Sequence, residues 1–444
     1  MNKGVTPKNT KGPKNKAYPK YKPSGVEWLG DVPEHWEVKR LSFIFKIKKN
    51  IAGMDGIAVL SITQKGIKIK DIESNDGQLS MDYSKYQLVE VADFAMNHMD
   101  LLTGFVDVAK SSGVTSPDYR VFNLRNRQLF KPEYYLHILQ LCYFQKLFYH
   151  LGQGVSGFGR WRLPREQFNN FILPAPPLPE QQAIAAFLDR KTGRIDALIE
   201  KKQRLLELLA EQRTALISRA VTRGLDATVK LKPSGVEWLG DVPEHWGVFP
   251  LRRVVLSVKT GGTPTGAEDS AFDDDGFNWY SPSDFSDAIV LGKSNRALSE
   301  DGKREVRIFP PKTVMLVGIG ATIGKVGVAM SESSCNQQIN GIVCGNPLHP
   351  EFATYYLKTM REFIVKCGKY TTLPIINQDE TKNLIFTLPP ISEQQTIATF
   401  LDHEMAKIDT LSAKVVTVIE RLKEYRTALI SSAVTGKIDV RGSV

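Results

Sequence analysis

The chain has 444 residues, of which 42% are hydrophobic, and a formal net charge of +10. It is too long for one ordinary hydrophobic core, so we expect at least two domains. No stretch approaches the roughly 20 apolar residues that span a bilayer, and no apolar segment follows the N-terminal lysines, so the sequence excludes membrane and exported proteins and predicts a cytoplasmic location.

The excess of positive charge favours a polyanionic partner, because lysines and arginines gain free energy when they release counterions from phosphates. Part of this charge lies at the N-terminus, where residues 1–21 contain lysine, glycine, proline and asparagine but no acidic residue. This composition predicts a basic disordered tail. It leaves open whether the tail is only solvated or also binds phosphates loosely.

Two internal repeats divide the rest of the chain. Residues 22–36 read KPSGVEWLGDVPEHW, and residues 232–246 repeat all fifteen letters. Residues 176–226 also align without a gap with residues 389–439, at an offset of 213, and match at 27 of 51 positions. The chain is therefore a tandem duplication of a unit of about 210 residues. We predict five parts: the tail 1–21, a leader with a module at 22–175, a helix at 176–231, a second leader with a module at 232–388, and a second helix at 389–444.

The fifteen-residue leader is predicted to dock each module onto a helix end. Its apolar side chains are expected to be buried anchors: Trp28, Leu29, Val32 and Trp36 in the first copy, and Trp238, Leu239, Val242 and Trp246 in the second. His35 and His245 have neither a nucleophile nor a metal-ligand partner nearby in the sequence, which argues against a catalytic role.

The two modules, residues 37–175 and 247–388, share only scattered anchors. Each has strand-like runs, such as IAVLSI in the first and KTVMLVGIG in the second, and then a helix opened by Pro-Glu. A glycine-bearing loop and a returning strand follow. This order predicts two α/β modules of one fold with different surfaces, held by a framework that has stayed alike.

The repeated segments after residues 176 and 389 have the apolar spacing of long helices that pair through a seam. The alternating steps of four and three favour an antiparallel coiled coil over two unrelated amphipathic helices. Both helices are expected to end near Gly224 and Gly436. The predicted seam consists of Ile184, Leu188, Ile195, Leu198, Leu205, Leu209 and Leu216 in the first helix, and Ile397, Leu401, Ile408, Leu411, Val415, Val418, Leu422 and Leu429 in the second.

No catalytic motif survives inspection. GIGATIGK at 318–325 lacks the glycine and the Ser or Thr of a phosphate-binding loop. There is neither an Asn-Pro-Pro-Tyr type motif for amine methylation nor a convincing nuclease core. The four cysteines form no C-x-x-C pair and no zinc pattern, so we expect them to be reduced. The sequence thus predicts no catalytic centre and no metal site.

The order of leader, variable module and EQQ…FLD…ID…RTALI helix, given twice, resembles the DNA-specificity subunit of Type I restriction-modification enzymes. TGGTP (260–264), NQQIN (336–340) and GVTSPDYRVF (113–122) support the resemblance, which covers the chain beyond residue 22. It implies a tandem duplication of two α/β (α+β) target-recognition domains separated by a pair of long antiparallel coiled-coil helices.

The resemblance also implies a function in bacterial defence. Each domain would read one half of a split double-stranded DNA site, and the helices would space the halves and dock methyltransferase subunits, two in number. Those subunits would bind S-adenosylmethionine, this chain would bind no cofactor, and motor-nuclease subunits would add cleavage. Two alternatives stay open: a coiled-coil scaffold that reads no DNA, and a self-sufficient DNA-modifying enzyme.

The candidates for DNA contact are loop residues with hydrogen-bonding or charged side chains. In the first module the candidates are Gln64, Lys65, Lys68, Lys70, Asn97, His98, Ser156, Arg160 and Arg162. In the second module they are Thr260, Thr263, Thr265, Ser281, Ser283, Asp284, Lys369, Tyr370 and Thr371.

Overall fold

The computed structural model describes residues 16–72, 80, 82–154, 161–265, 270–367 and 374–442. The chain divides into two compact units, the first formed by Met1–Lys202 with Thr417–Val444 and the second by Gln203–Val416. Each unit therefore contains one leader, one module and part of both long helices.

Short strands and helices build the first unit up to its long helix. The strands are β1 (Tyr21–Pro23), β2 (Asp31–Pro33), β3 (Glu37–Arg40), β4 (Phe45–Lys48), β5 (Leu60–Thr63), β6 (Gly66–Ile69), β7 (Gln87–Val89), β8 (Phe94–Met96), β9 (Val106–Val108), β10 (Gly113–Thr115), β11 (Arg120–Leu124) and β12 (Ile172–Ala175). The helices are α1 (Leu41–Ile44), α2 (Pro132–Phe144), α3 (Arg165–Asn170) and α4 (Leu178–Arg223), of which α4 continues into the second unit.

An antiparallel sheet in the order β4-β11-β8-β9 is the centre of the first module. Because successive strand residues point to opposite faces, the sheet separates two cores. Phe94 and Phe122 face the side covered by α2, where the ring of Phe45 meets both at 5.1 and 5.0 Å. Ala95 and Val121 face the other side, toward the β5–β6 hairpin.

The second unit contains the remaining elements in the same arrangement. Its strands are β13 (Leu231–Pro233), β14 (Asp241–Pro243), β15 (Gly247–Pro250), β16 (Val255–Thr260), β17 (Phe272–Tyr280), β18 (Arg296–Leu298), β19 (Thr313–Val317), β20 (Val326–Ala329), β21 (Ser334–Cys335), β22 (Ile339–Cys344) and β23 (Ile385–Leu388). Its helices are α5 (Glu300–Glu305), α6 (Pro350–Thr359), α7 (Arg361–Cys367), α8 (Gln378–Lys382) and α9 (Ile391–Val434), and α9 ends in the first unit.

The second module repeats the central sheet as β16-β22-β19-β20, again antiparallel. Val314 and Leu316 join the core that contains α6, whereas Met315 and Val317 face a smaller core with Tyr280. Among the named strands, the β17–β21 pair is parallel and the other pairs are antiparallel. The modules are therefore of the α+β kind, in a tandem duplication as the sequence predicts.

The long helices α4 and α9 span 46 and 44 residues. They end before Gly224 and Gly436, which both adopt a φ of +74°, a left-handed conformation that favours glycine. A Cβ atom at Gly436 would lie 2.4 Å from Cδ of Pro33, so the close approach of the leader also requires glycine.

Within each unit the two long helices run antiparallel. In the first unit Arg426 of α9 donates to Asp196 of α4, and in the second unit Arg213 of α4 donates to Asp409 of α9. In the first unit Glu180, before Asp196 in the chain, also lies beside Arg441, after Arg426. In the second unit Gly224, after Arg213, lies beside Glu393, before Asp409. This antiparallel pairing is the one that the apolar spacing favours.

The predicted seam is partly correct. Nine of its residues are buried: Ile184, Leu188, Ile195, Leu209, Ile397, Leu401, Ile408, Val415 and Leu429. Leu205, Leu216 and Leu422 are half-buried. Leu198, Leu411 and Val418 are instead 47, 44 and 40% exposed.

The prediction for these three residues is wrong because the order of steps is reversed in the middle of the helices. There the inward-facing positions are spaced by four and then three residues, whereas the predicted seam has three and then four. Ile199 rather than Leu198 turns inward on α4. On α9, Ser412 and Ile419 turn inward rather than Leu411 and Val418. Neighbouring helix positions differ by about 100°, so a shift of one residue moves a side chain from the seam to the surface.

The first leader joins the beginning of α4 to the end of α9 within the first unit. Nε1 of Trp36 donates to the buried Glu180 carboxylate at 2.9 Å, and Nε2 of His35 donates to the same group at 2.6 Å. Lys437, just beyond α9, donates to the carbonyl of Leu29 at 3.1 Å. The leader therefore contacts the helices of both repeats.

The second leader makes the corresponding tryptophan and histidine contacts within the second unit. Nε1 of Trp246 donates to Glu393 at 3.2 Å, and His245 donates to the same carboxylate at 2.9 Å. The anchors Val242 and Trp246 are fully buried, as predicted, whereas Trp238 is 41% exposed and packs beside Phe363. Both histidines thus orient the leader against a helix end.

Candidate nucleic-acid interface

The tip of the β5–β6 hairpin carries the first candidate residues. Gln64 and Lys65 form its turn and are exposed, and Lys68 is exposed on β6. Nε2 of Gln64 donates to the carbonyl of Thr103 at 3.2 Å, and Asp107 accepts from the backbone N–H of Ile67 at 3.0 Å. The first bond places the tip against the loop of residues 97–105, and the second holds the hairpin against β9. Lys70 directly follows β6 and is half-buried at the base of the hairpin.

The loop of residues 97–105 brings two more candidates beside the return segment of the first module, which we define as residues 161–163. The backbone N–H of Leu163 donates to the carbonyl of His98 at 2.9 Å, and that of Leu101 donates to Trp161 at 3.1 Å. Arg162 is exposed between these contacts. The structure therefore collects Gln64, Asn97, His98 and Arg162 around one loop. Ser156 and Arg160 lie outside the described residues.

The electrostatics of this region are positive. Burial, together with the charges of Arg120 and Arg162, lowers the pKa of His98 to about 3. His98 is thus neutral at physiological pH, and it offers hydrogen bonding rather than charge. Its Nδ1 atom is buried without a hydrogen-bond partner among the described residues.

In the second module, TGGTP and NQQIN meet although about 75 residues separate them. Thr260 donates to Asn340 at 2.8 Å, and Thr263 donates to Gln337 at 2.5 Å. The backbone N–H of Gly262 donates to the carbonyl of Cys335 at 2.8 Å. Two of the predicted threonines therefore position amide side chains.

Residues 318–320 and the return segment of the second module, residues 374–376, complete this cluster. The N–H of Ile376 donates to the carbonyl of Gly318 at 2.8 Å, and the N–H of Gly318 donates to Gln338 at 2.8 Å. Gly320 has a φ of +98° and donates to Pro374 at 3.2 Å. As the sequence predicts, GIGATIGK forms a turn between two strands.

The sequence reasoning missed the amide side chains of this cluster as site residues. They are Asn336, Gln337, Gln338, Asn340 and Gln378. Gln337 is exposed, and a glutamine amide can donate to and accept from an adenine edge at the same time. The sequence signal for these amides is the run NQQIN, which supports the family resemblance but is not among the candidate site residues.

The remaining candidates of the second module form hydrogen bonds with other residues of that module. The N–H and hydroxyl of Ser281 both donate to Asp284 at 2.7 Å, and Ser283 lies 2.8 Å from the Ser281 hydroxyl. Thr265 donates to Glu305 through its N–H and hydroxyl groups. These contacts stabilise turns. Lys369, Tyr370 and Thr371 lie outside the described residues.

Within the described parts of the chain, no group of three or more His, Cys, Asp or Glu side chains is arranged to hold a metal ion. Across the same residues, no helix is both long and apolar enough to cross a membrane.

Comparisons with known proteins agree on one family. A family model described as the Type I restriction modification DNA specificity domain matches residues 33–208 and 243–421. The putative type I restriction enzyme MjaX specificity subunit of Methanocaldococcus jannaschii is 21% identical over 434 residues, which cover 93% of this chain and 96% of that protein.

Two solved structures share the fold. One, from work on complex assembly and conformational transition of the type I R-M system, has a TM-score of 0.68 at 15% identity and covers 90% of this chain and 98% of its own. The HsdS subunit from Thermoanaerobacter tengcongensis has a TM-score of 0.55 at 16% identity and covers 92% of this chain and 98% of its own.

Proposed function

The chain belongs to the Type I restriction-modification DNA specificity family, and from this premise we propose that its two modules read the two halves of a split DNA site. It is a DNA sequence-specificity subunit, and subunits of this kind are non-catalytic. One module would bind each half-site, and the long helices would set the number of base pairs between the halves.

One observation carries the proposal: the two modules place equivalent loops together but expose different side chains there. In the first module the loop at residues 97–98 meets the return segment with Arg162 exposed. In the second, residues 318–320 meet the return segment with Ile375 exposed. Two equivalent surfaces of different chemistry suit the reading of two different words, whereas a plain scaffold gains nothing from the difference.

The chemistry of these side chains fits a division of labour on DNA. Lys65 and Lys68 are exposed cations that can neutralise phosphates, which gives affinity without sequence information. The exposed guanidinium of Arg162 can also donate to a guanine edge. Gln64 and Gln337 are exposed amides that can read a base edge in the major groove. The lysines would position the first module, and Arg162 and the amides would contribute to sequence choice.

We further propose that the long helices dock methyltransferase subunits, two in number, and that motor-nuclease subunits join this assembly. Leu198, Leu208, Leu411 and Val418 are exposed midway along the helices, and apolar surface of this kind is what a partner helix would cover. The partner would then bind S-adenosylmethionine, and the methyl group of this cofactor would be transferred to adenine.

The test is to express this chain together with its methyltransferase subunit and to map methylated adenines across a plasmid library by single-molecule sequencing. The proposal predicts a split motif with two defined halves and a fixed gap. A stable complex that methylates no defined sequence would contradict DNA reading. Methylation or nicking of DNA by the purified chain alone would contradict a non-catalytic role.

A further inference from the structure

Arg120 occupies an unusual position in the first module. It begins β11 in the central sheet, and only 6% of its surface is exposed. Nη2 donates to the carbonyl of Leu163 at 3.0 Å, and the guanidinium stacks over the ring of Phe168 at 4.6 Å. Nη1 is buried without a hydrogen-bond partner, and no carboxylate pairs with Arg120 among the described residues.

A buried cation without a counterion is costly. Burial lowers the pKa of Arg120 to about 10, so the group still carries its charge at neutral pH. An apolar residue would fill the same space without this cost. The arginine therefore needs a reason beyond packing, and the bond to Leu163 is the specific contact that it makes.

Asn340 is the counterpart of Arg120 in the second module. Both side chains belong to the strand at the second position of the central sheet, β11 and β22. Nδ2 of Asn340 donates to the carbonyl of Ile376 at 3.2 Å and to the hydroxyl of Thr381 at 3.1 Å. Asn340 is also buried.

The groups that these two side chains bind are themselves equivalent. Leu163 and Ile376 each lie two residues before the first residue of a short helix, α3 or α8. Phe168 and Thr381 occupy the same place within those helices, at the offset of 213 that relates the repeats. Two residues of different size and charge therefore make the same pair of contacts.

The segment that is held in this way lies at the candidate interface. Leu163 and Ile376 are buried, whereas the residues just before them, Arg162 and Ile375, are exposed. The backbone of the segment is also bonded to the neighbouring loop, through His98 in the first module and Gly318 in the second. A bond at Leu163 or Ile376 therefore fixes the direction of the exposed side chain beside it.

We infer that Arg120 and Asn340 are the positioning residues of the two modules, each fixing the return segment against the central sheet so that its exposed side chain meets DNA in one orientation. This inference rests on the proposed function. Sequence discrimination at each half-site would then depend on a buried residue that does not contact DNA but fixes the orientation of a side chain that does. The shared chemistry is a hydrogen bond from a strand side chain to a loop carbonyl, and the positive charge of Arg120 is not required for it.

The experiment uses the complex of the full chain with its methyltransferase subunit and compares methylation of the cognate site with sites that carry one wrong base pair in either half. Arg120→Met keeps the length but removes the donors, so discrimination at one half should fall at least tenfold while the other half stays unchanged. Asn340→Leu should produce the opposite pattern. Each variant is the control for the other.

Two further variants separate hydrogen bonding from charge and from folding. Arg120→Gln supplies a neutral amide, as Asn340 does, and should retain discrimination, whereas Arg120→Lys keeps the charge but loses the planar fork and should retain less. Thermal unfolding identifies any variant that fails to fold, and the Gln variant then carries the test. Loss of discrimination in a folded Arg120→Gln complex would overturn the inference.

The inference would also be overturned if folded Arg120→Met and Asn340→Leu lowered methylation at all sites while discrimination stayed intact, because that pattern indicates a structural role alone. A wild-type complex without a split motif is a different result. It would contradict the proposed function itself, before any variant is compared.

Discussion

The guanidinium of Arg426 donates two hydrogen bonds to the carboxylate of Asp196, from Nε at 2.8 Å and from Nη2 at 3.3 Å. The repeat offset of 213 relates Asp196 to Asp409 and Arg213 to Arg426. The pair of Arg213 with Asp409 in the second unit is therefore the same interaction with the roles of the repeats exchanged. Each repeat supplies the acid of one pair and the base of the other.

Removing this ion pair should have a small effect on stability. The two side chains are 30 and 51% exposed, and exposed pairs contribute about 0.2–1 kcal/mol. We expect Asp196→Ala and Arg426→Ala each to lower the free energy of unfolding by less than about 1 kcal/mol. A double-mutant cycle by urea unfolding measures the coupling, and the Arg213 and Asp409 cycle is its internal control. A coupling of several kcal/mol would contradict a solvent-exposed pair.

Lengthening both long helices should lengthen the gap between the half-sites. Seven residues add two turns, or about 10 Å, which is about three base pairs. Insertion after Gln203 and after Val416 keeps both ion pairs, because each insertion falls between them. Mapping of methylated adenines should show a wider gap with both half-sites unchanged.

The matched control for this experiment is an insertion in one helix alone. It displaces one of the two ion pairs from its partner, and we expect a less stable chain rather than a defined new gap. A gap that stays the same in the double insertion would show that the helices do not set the spacing.

Glu180 should contribute more to stability than its counterpart Glu393. Glu180 is buried and accepts hydrogen bonds from Tyr18, His35 and Trp36, whereas Glu393 is half-buried and accepts from the second leader's His and Trp. A buried donor left unpaired costs about 1–3 kcal/mol. We expect Glu180→Ala to lower the free energy of unfolding by at least that amount, and Glu393→Ala by less. Urea unfolding followed by tryptophan fluorescence measures both, and equal losses would contradict the difference in burial.

His98 should make the folded chain less stable as the pH falls from 7.5 to 5. Its pKa in the folded chain is about 3, whereas an unfolded histidine takes up a proton near pH 6.5. Below about pH 6.5 the unfolded chain thus binds one more proton, and this group lowers the free energy of unfolding by up to about 1.4 kcal/mol per pH unit. His98→Gln should show a weaker dependence over the same range. Parallel pH profiles of the two proteins would mean that His98 is protonated in the folded state.

Gln337 should affect one half-site and leave the other unchanged. Its side chain is exposed and its carbonyl oxygen accepts from Thr263 at 2.5 Å, which leaves the amide N–H groups free to donate to a base. One good amide contact discriminates between bases by about 1–3 kcal/mol. We expect Gln337→Ala to relax one position of one half-site in the methylation map. Gln64→Ala, at the tip of the first module, should relax only the other half.

The sequence was sufficient to predict the elements whose signals are local or repeated. The pattern of apolar residues predicts α4 and α9, and the glycines at 224 and 436 mark their ends, because periodicity and left-handed caps are properties of the segment itself. The leader anchors Trp36 and Trp246 could be identified because an identical fifteen-residue repeat singles them out.

Features that depend on a partner could not be predicted in the same way. Leu198 and Ile199 are both apolar, and the choice between them is made by α9, so the phase of the seam is not encoded in α4 alone. Gln337 becomes a site residue only because Thr263, 74 positions earlier, bonds to it in the folded module. The antiparallel order of the central sheets likewise follows from contacts between distant strands.

The contact between Lys16 and Asp439 has one more consequence. The N–H of Asp439 donates to the carbonyl of Lys16 at 2.7 Å, and the two residues form an antiparallel bridge. By the leader offset of 210, Lys16 corresponds to residue 226, and by the helix offset of 213, Asp439 corresponds to the same residue. In the second unit this place is occupied by one continuous stretch of chain. A permuted gene that links residue 439 to residue 16 and opens the chain after Asp226 would therefore encode the same contacts within each unit.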